Sequence, residues 1–263
     1  MKNKMSEHSY FGTGRIVVLG HRGSPQEAPE NTLPSFRKAL EQGADGVELD
    51  VHLTCDGALV VFHNYTLSGT TGSRGFLAKR TLEELKELDA GFSFSREYAG
   101  TPIPTFTEVV EGLDKRAFIM IEIKSYLGRA NEDVARAVAA AVAKHDLYER
   151  AVVSSFNPRI LKRVKESDSR IPVGFLHHLP FPGFSGKSCA LFPGHLEVLH
   201  PLHRIVSARY MERARRLGCR VIPWTVNSAA DLQKIVPLGV DGVITDYPGA
   251  ISDALQVAKE GGG

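Results

Sequence analysis

The chain has 263 residues, with 43% hydrophobic and 24% charged side chains, enough to bury the core of one large soluble domain. Lys plus Arg number 32 and Asp plus Glu 30, a formal net charge of +2, so bulk charge gives no support for a nucleic-acid or polyanion partner. The three cysteines (Cys55, Cys189, Cys219) match no zinc spacing and read as reduced thiols of a cytoplasmic protein, and no stretch approaches the ~18 apolar residues of a membrane span.

In chain order, Met1 to Gly14 reads as a flexible leader without the apolar core of a signal peptide. A single domain is expected over residues 15–259. Short apolar runs bounded by Gly or Pro then read as buried parallel strands. They cover Ile16–Gly20, Gly46–His52, Phe118–Lys124, Val152–Ser155, Val173–Leu176, Leu196–Leu199, Val221–Val226 and Gly242–Thr245. Helical patterns lie between most of them, over Thr32–Gln42, Asn131–His145, Pro158–Glu166, Ser207–Leu217, Ala229–Val236 and Pro248–Ala258. The arginines 213, 215 and 216 read as a solvated helix face. Eight strands with intervening helices predict a closed (β/α)8 TIM barrel. A doubly wound open sheet is the alternative, but no Gly-rich phosphate loop follows the first strand.

Two stretches break the rhythm. Leu53 to Leu113 reads as a small insertion after the second strand, with a hairpin at Cys55-Asp56-Gly57 and short helices near Thr81–Leu88 and Phe106–Gly112. Leu179–Gly194 is an apolar loop rich in Pro, Gly and Phe, either a lid or a segment packed on the barrel. An internal echo relates Gly43–Asp50 (GADGVELD) to Gly239–Asp246 (GVDGVITD). The second copy has Ile244 where the first has Glu48, so the strand itself does not require an acid there.

Side chains alternate faces along a strand. With Val47, Leu49 and Val51 facing the helices, Glu48, Asp50 and His52 point into the barrel; the same split on the third strand sends Glu122 and Lys124 inward. Barrel interiors are normally aliphatic. Three converging carboxylates need compensation, either by a metal ion or by a buried network with Lys124 and Arg22. All-oxygen ligation suits Mg2+ or Ca2+ better than zinc. His21 and Arg22 end the first strand and His63 ends the run Ala58–Phe62, where barrel enzymes carry catalytic groups. Two imidazoles near a metal can act as general base and acid, and Arg22 can hold phosphate oxygens. His177, His178, His195, His200 and His203 are expected on the surface or in loops.

Six segments occur in order: His21-Arg22-Gly23, Pro29-Glu30-Asn31-Thr32, Gly46 to Val51, Asp56-Gly57 before Val60 to His63, Ile121 to Lys124, and Trp224 to Asn227. Together they resemble the glycerophosphodiester phosphodiesterase family, from about Val17 to Pro248. The resemblance implies a TIM barrel with an insertion after the second strand. It implies Glu48, Asp50 and Glu122 as ligands of one divalent metal, Mg2+ or Ca2+, and His21 and His63 as the acid/base pair. Arg22 and Lys124 are similar to phosphate-binding groups. Glu30 and Asn31 would brace the first loop, with Glu30 near the metal or the glycerol end, and Trp224 would wall the glycerol carbons or serve as a core aromatic. Two positions depart from the family pattern: Asn64 replaces the usual Asp after the second His, and Gly69 stands where an Arg commonly precedes Thr70-Thr71.

The expected activity is hydrolysis of a small glycerophosphodiester to glycerol 3-phosphate and an alcohol, through a cyclic phosphate or by direct attack of water. No nucleic acid and no stable membrane association is expected, and homo-oligomerisation stays open. The rivals are a phospholipase-like barrel acting on lysolipids or inositol lipids, and a non-catalytic phosphoester binder.

Overall fold

The computed structural model describes residues 15–125, 130–178 and 196–260. The leader Met1–Gly14 and the apolar loop Leu179–Gly194, with Cys189 and the neighbouring His195, lie outside the described residues. The strands are β1 (Val17–His21), β2 (Gly46–Leu53), β3 (Leu59–Val61), β4 (Phe118–Ile123), β5 (Ala151–Ser155), β6 (Val173–His177), β7 (Val198–Pro201), β8 (Arg220–Val221) and β9 (Gly242–Thr245). The helices are α1 (Leu33–Glu41), α2 (Ser68–Thr71), α3 (Leu82–Lys86), α4 (Phe106–Gly112), α5 (Ala130–Lys144), α6 (Pro158–Ser167), α7 (Ala208–Arg216), α8 (Ala229–Ile235) and α9 (Pro248–Glu260).

The sheet runs β8-β7-β6-β5-β4-β2-β1-β9, with β3 added to β2. Every neighbour on that path is parallel, and only β3 is antiparallel. Three backbone hydrogen bonds join the last two edges into a TIM barrel: Asp241 N–H to Val221 C=O (2.9 Å), Ile244 N–H to Pro223 C=O (2.9 Å) and Val226 N–H to Ile244 C=O (2.8 Å). β8 is shorter than the expected Val221–Val226. Pro223 has no N–H to give the ladder, and pairing resumes as one bridge between Leu202 and Trp224.

Strand parity divides the apolar residues into two shells. Val47, Leu49, Val51, Ile119, Ile121 and Ile123 pack outward with Phe36, Phe106, Val138 and Ile160 of the helices. Val17, Leu19, Phe118, Met120, Val152, Val198, Ile222 and Ile244 fill the barrel interior. Helix starts follow their caps: Ser207 and Ser228 accept from the first turns of α7 and α8, and Thr105 with Glu108 forms a capping box on α4. The excursion after β2 has its own small core of Val60, Phe62, Leu67, Leu77, Leu85, Ala90 and Ile103. Its last helix, α4, instead buries Phe106, Val109 and Val110 against the sheet, in the place of the barrel helix between β2 and β4. Among the described residues no helix is long and apolar enough to cross a membrane.

Two histidines expected on the surface are core residues. His200 is fully enclosed, its Nδ1 3.1 Å from the Ile222 carbonyl and its Nε2 3.1 Å from Ser154 Oγ. Burial pushes it down to about 3, so the ring is neutral. Gly174 makes the room, since a Cβ there would lie 2.5 Å from His200 Nε2. His177 is buried against Phe175, with Tyr210 Oη 2.9 Å from its Nε2. Both sit within strands, β6 and β7, whose short length hides them from a motif-based reading. His178 is exposed and His203 lies in a short turn, as expected.

Gly46 sets the spacing of β2 and β4, because an added Cβ would lie 2.0 Å from the Phe118 carbonyl oxygen. Gly46→Ala is expected to cost about 3 kcal/mol, the upper end of overpacking penalties. The urea midpoint should fall accordingly; an unchanged midpoint would show that the strands part at no cost.

Candidate active site

The first loop is wound tightly enough to place two charged groups over the barrel mouth. After His21 the chain turns through Arg22 (φ 56°) and Gly23 (φ 94°), and a Cβ on Gly23 would lie 2.4 Å from Ser35 Oγ. Arg22 pays a left-handed backbone that non-glycine residues seldom adopt. It is held there by donation of its N–H to Glu48 Oε2 (3.0 Å), while its carbonyl accepts from the Asn31 N–H and Ser35 Oγ (both 3.0 Å). Asn31 is also left-handed (φ 58°) and clamps Asp50: its Nδ2 donates to Asp50 Oδ2 (2.8 Å) and its Oδ1 accepts from the Asp50 N–H (3.2 Å).

Glu48 and Asp50 of β2 and Glu122 of β4 point inward and are buried. Each offers an oxygen within 4.8 Å of the others, and among the described residues this is the cluster able to hold a metal ion. The alternative network is present in part. Lys124 Nζ lies 2.9 Å from Asp50 Oδ1 and 2.9 Å from Glu122 Oε1; Arg22 Nε lies 3.5 Å from Asp50, and Arg22 Nη1 donates to Glu30 (2.8 Å). Burial would raise Asp50, but Lys124, Arg22 and His63 outweigh it and hold the carboxyl at about 2. Glu48 is left over. Its Oε1 is buried with no hydrogen-bond partner, and burial together with the Asp50 charge pushes it up to about 8. Glu122 is raised by the same two causes. Four carboxylates facing two permanent cations, with one buried oxygen orphaned, fit a bound cation.

The two candidate histidines are each held through Nδ1. His21 Nδ1 is 2.6 Å from Asp246 Oδ1, and its Nε2 is 3.9 Å from Glu48 Oε2. Burial would lower His21, but the Asp246 hydrogen bond and the Glu48 charge outweigh it, and the ring is raised. His63 follows β3, with Nδ1 3.1 Å from Asn64 Oδ1. Burial lowers it, and Lys124 and Arg22 lower it further against the pull of Asp50. His52 is fully buried beneath, its Nε2 3.2 Å from the His63 carbonyl and its ring edge-on to Tyr65. The two departures from the family pattern are neighbours: a Cβ on Gly69 would lie 3.7 Å from Asn64 Nδ2.

These groups surround one cavity of about 230 Å³. His21, Arg22, Glu48, His63, Glu122 and Lys124 form its charged half; Met120, Phe156, Leu176, Trp224 and Ile244 form the apolar half. Trp224 donates Nε1–H to the His200 carbonyl (2.9 Å) and meets Phe156 edge-to-face at 5.4 Å. Glu30 stands back from the cavity behind Arg22, and Asn31 behind Asp50. Sequence reasoning missed Phe156, which ends the strand run at Ser155 without any motif, and Asp246. The signal for Asp246 was the echo. In both copies the Asp after the left-handed Gly braces the preceding strand, Asp45 accepting from Val18 N–H and Asp241 from Val221 N–H. The final acids, Asp50 and Asp246, both reach the same site.

Residues 21–250 match the model of the glycerophosphoryl diester phosphodiesterase family. A glycerophosphodiester phosphodiesterase of Caldanaerobacter subterraneus subsp. tengcongensis is 36% identical over 260 residues, covering 94% of this chain and 100% of the relative. An Oleispira antarctica phosphodiesterase, solved with the product sn-glycerol-3-phosphate, superposes with TM-score 0.85 at 31% identity, covering 94% of this chain and 99% of the other. A glycerophosphodiester phosphodiesterase of Thermotoga maritima gives TM-score 0.73 at 29% identity, with 91% and 98% covered.

The Glu48 shift makes a prediction for chelator-treated protein. A carboxyl raised from 4.5 to about 8 on folding contributes stability that is present below pH 4.5 and lost as pH rises through about 8. The melting temperature in EDTA should therefore fall over that window, and Glu48→Gln should flatten the fall and melt higher at pH 8. Parallel profiles for the two proteins would contradict the placement of an uncompensated carboxyl at Glu48.

Proposed function

The chain belongs to the glycerophosphoryl diester phosphodiesterase family and is an enzyme of that class; from this premise we propose that it hydrolyses glycerophosphodiesters to glycerol 3-phosphate and an alcohol, using one Mg2+ or Ca2+ and the pair His21 and His63. The observation that carries the reading is a single cavity where two carboxylates, Glu48 and Glu122, clustered with Asp50 behind them, meet two Nδ1-anchored imidazoles and two cationic side chains.

Glu48, Asp50 and Glu122 would hold the cation, and their oxygen-only donor set favours a hard ion. When bound, it polarises the phosphoryl group and offsets the charge of the diester. Arg22 and Lys124 bind phosphate oxygens and stabilise charge that grows as the bond to the leaving alcohol breaks. Trp224 packs against the glycerol carbons, and Phe156 extends that wall.

His63, lowered by burial and its cationic neighbours, is neutral near pH 7 and accepts a proton. His21, raised by the Asp246 hydrogen bond against the effect of burial, is the better placed of the two to hold a proton and donate it. In the first step His63 removes the proton of the glycerol 2-hydroxyl as its oxygen attacks phosphorus. His21 protonates the departing alcohol, leaving a cyclic phosphate. In the second step His21 takes a proton from water, the water oxygen attacks phosphorus, and His63 returns a proton to the 2-oxygen. An attacking hydroxyl already within the substrate gains effective molarities on the order of 10⁵ M or more, which favours this route over direct attack by outside water.

Turnover of a panel of deacylated glycerophosphodiesters should release glycerol 3-phosphate with Mg2+ or Ca2+ and stop in chelator, whereas a lysolipid, whose product would be an acylated glycerol phosphate, should turn over poorly. In the same assay His21→Ala and His63→Ala should each lower kcat by roughly 10²–10⁴. An analogue lacking only the 2-hydroxyl should bind without turnover. Hydrolysis of that analogue near the parent rate would leave direct water attack; full activity in chelator, or in either histidine variant, would overturn the reading.

A further inference from the structure

Asp246 lies outside the three-carboxylate cluster, and both of its oxygens are committed elsewhere. Oδ1 is 2.6 Å from His21 Nδ1, and Oδ2 accepts from Asn227 Nδ2 at 2.6 Å. Asn227 grips the same residue a second time, its Oδ1 accepting from the Asp246 N–H at 2.9 Å and from Thr245 Oγ1 at 3.3 Å. Asn227 in turn follows Val226, whose N–H closes the barrel onto Ile244. The clamp therefore stands on the seam that joins the last strand to its neighbour, a rigid place from which to aim a side chain across to β1.

The consequence for His21 is a matter of which nitrogen exchanges its proton. A carboxylate on Nδ1 keeps the Nδ1 proton in place, so the proton that comes and goes is the one on Nε2. That nitrogen is the one turned toward Glu48 and the cavity. His63 has a different partner at the same ring position, the neutral amide oxygen of Asn64. The two imidazoles thus present the same atom to the substrate but rest on supports of different charge. We infer that Asp246, locked by Asn227, is the positioning residue of the reaction, fixing the tautomer and the ring plane of His21. This rests on the proposed acid/base role of His21. Aspartate at Nδ1 is a recurrent solution to this problem: in the serine-protease triad, replacing it by asparagine leaves the geometry intact yet lowers kcat by ~10⁴ through the wrong tautomer.

The test is Asp246→Asn, studied in the full chain with Mg2+ present. Turnover should fall roughly 10²–10⁴ in kcat, with KM within about threefold because the substrate-binding groups are untouched. Long-range 1H–15N spectra of the histidine rings should show neutral His21 protonated at Nδ1 in the parent and at Nε2 in the variant. Asn227→Ala, which frees the carboxylate without removing it, should keep the parent tautomer and lose only about tenfold in kcat, a shift of ~1.4 kcal/mol. An unchanged His21 tautomer in Asp246→Asn, or near-parental kcat there while His21→Ala is inactive, would overturn the inference. Near-parental kcat in His21→Ala would instead sink the acid/base reading, and the spectra would still decide whether Asp246 sets the tautomer.

Discussion

Three carboxylates inside the mouth of a barrel are the constraint to which the rest of the site answers. Burying unpaired charge is among the most costly acts in folding, and strand parity leaves Glu48, Asp50 and Glu122 no other direction to point. The surrounding loops meet that cost unevenly. Lys124 and Arg22 settle Asp50, Lys124 also pairs with Glu122, and Asn31 adopts a left-handed backbone to add two more hydrogen bonds to Asp50. Glu48 remains with a bare oxygen and a raised carboxyl. The chain by itself thus leaves one buried carboxylate oxygen without a partner at one defined place, beside two other carboxylates that could share a cation with it.

The same arrangement divides the cavity. β1, β2, β4 and the turns after them and after β3 supply charge, while β6 and β9 supply Leu176 and Ile244 and the segments after β5 and β8 supply Phe156 and Trp224. A glycerophosphodiester has the matching division, a charged phosphate beside a short carbon frame. Below the cavity the interior returns to aliphatic packing, broken by His200 and Ser154, which satisfy each other in a space that Gly174 leaves open. Trp224 is tied to that layer through the His200 carbonyl, so the apolar wall is anchored in the barrel core rather than in a loop.

Much of this was legible in the sequence because period-two alternation reports on faces directly. Val47, Leu49 and Val51 facing out force Glu48 and Asp50 in, and the same logic places Glu122. What alternation cannot report is which strand lies alongside: β9, the last strand, pairs with β1, the first. Asp246 meets His21 from a distance of 225 positions in sequence, and Phe156 reaches the cavity only because β5 ends where it does. His177 and His200 were misjudged for a related reason: five- and four-residue strands give too few alternations to distinguish a core imidazole from a loop one. Within the excursion after β2, the boundary between inserted segment and barrel helix depended on which core Phe106 joins, and that is decided by packing rather than local pattern.

The central claim, that Glu48, Asp50 and Glu122 form one cation site, is tested most directly by calorimetric titration of Mg2+ and Ca2+ into the parent and into Glu48→Gln. The parent should bind one ion per chain. The variant, with its circular dichroism unchanged, should bind it at least about tenfold more weakly. Equal affinity in the two proteins, or no binding to the parent, would contradict the account.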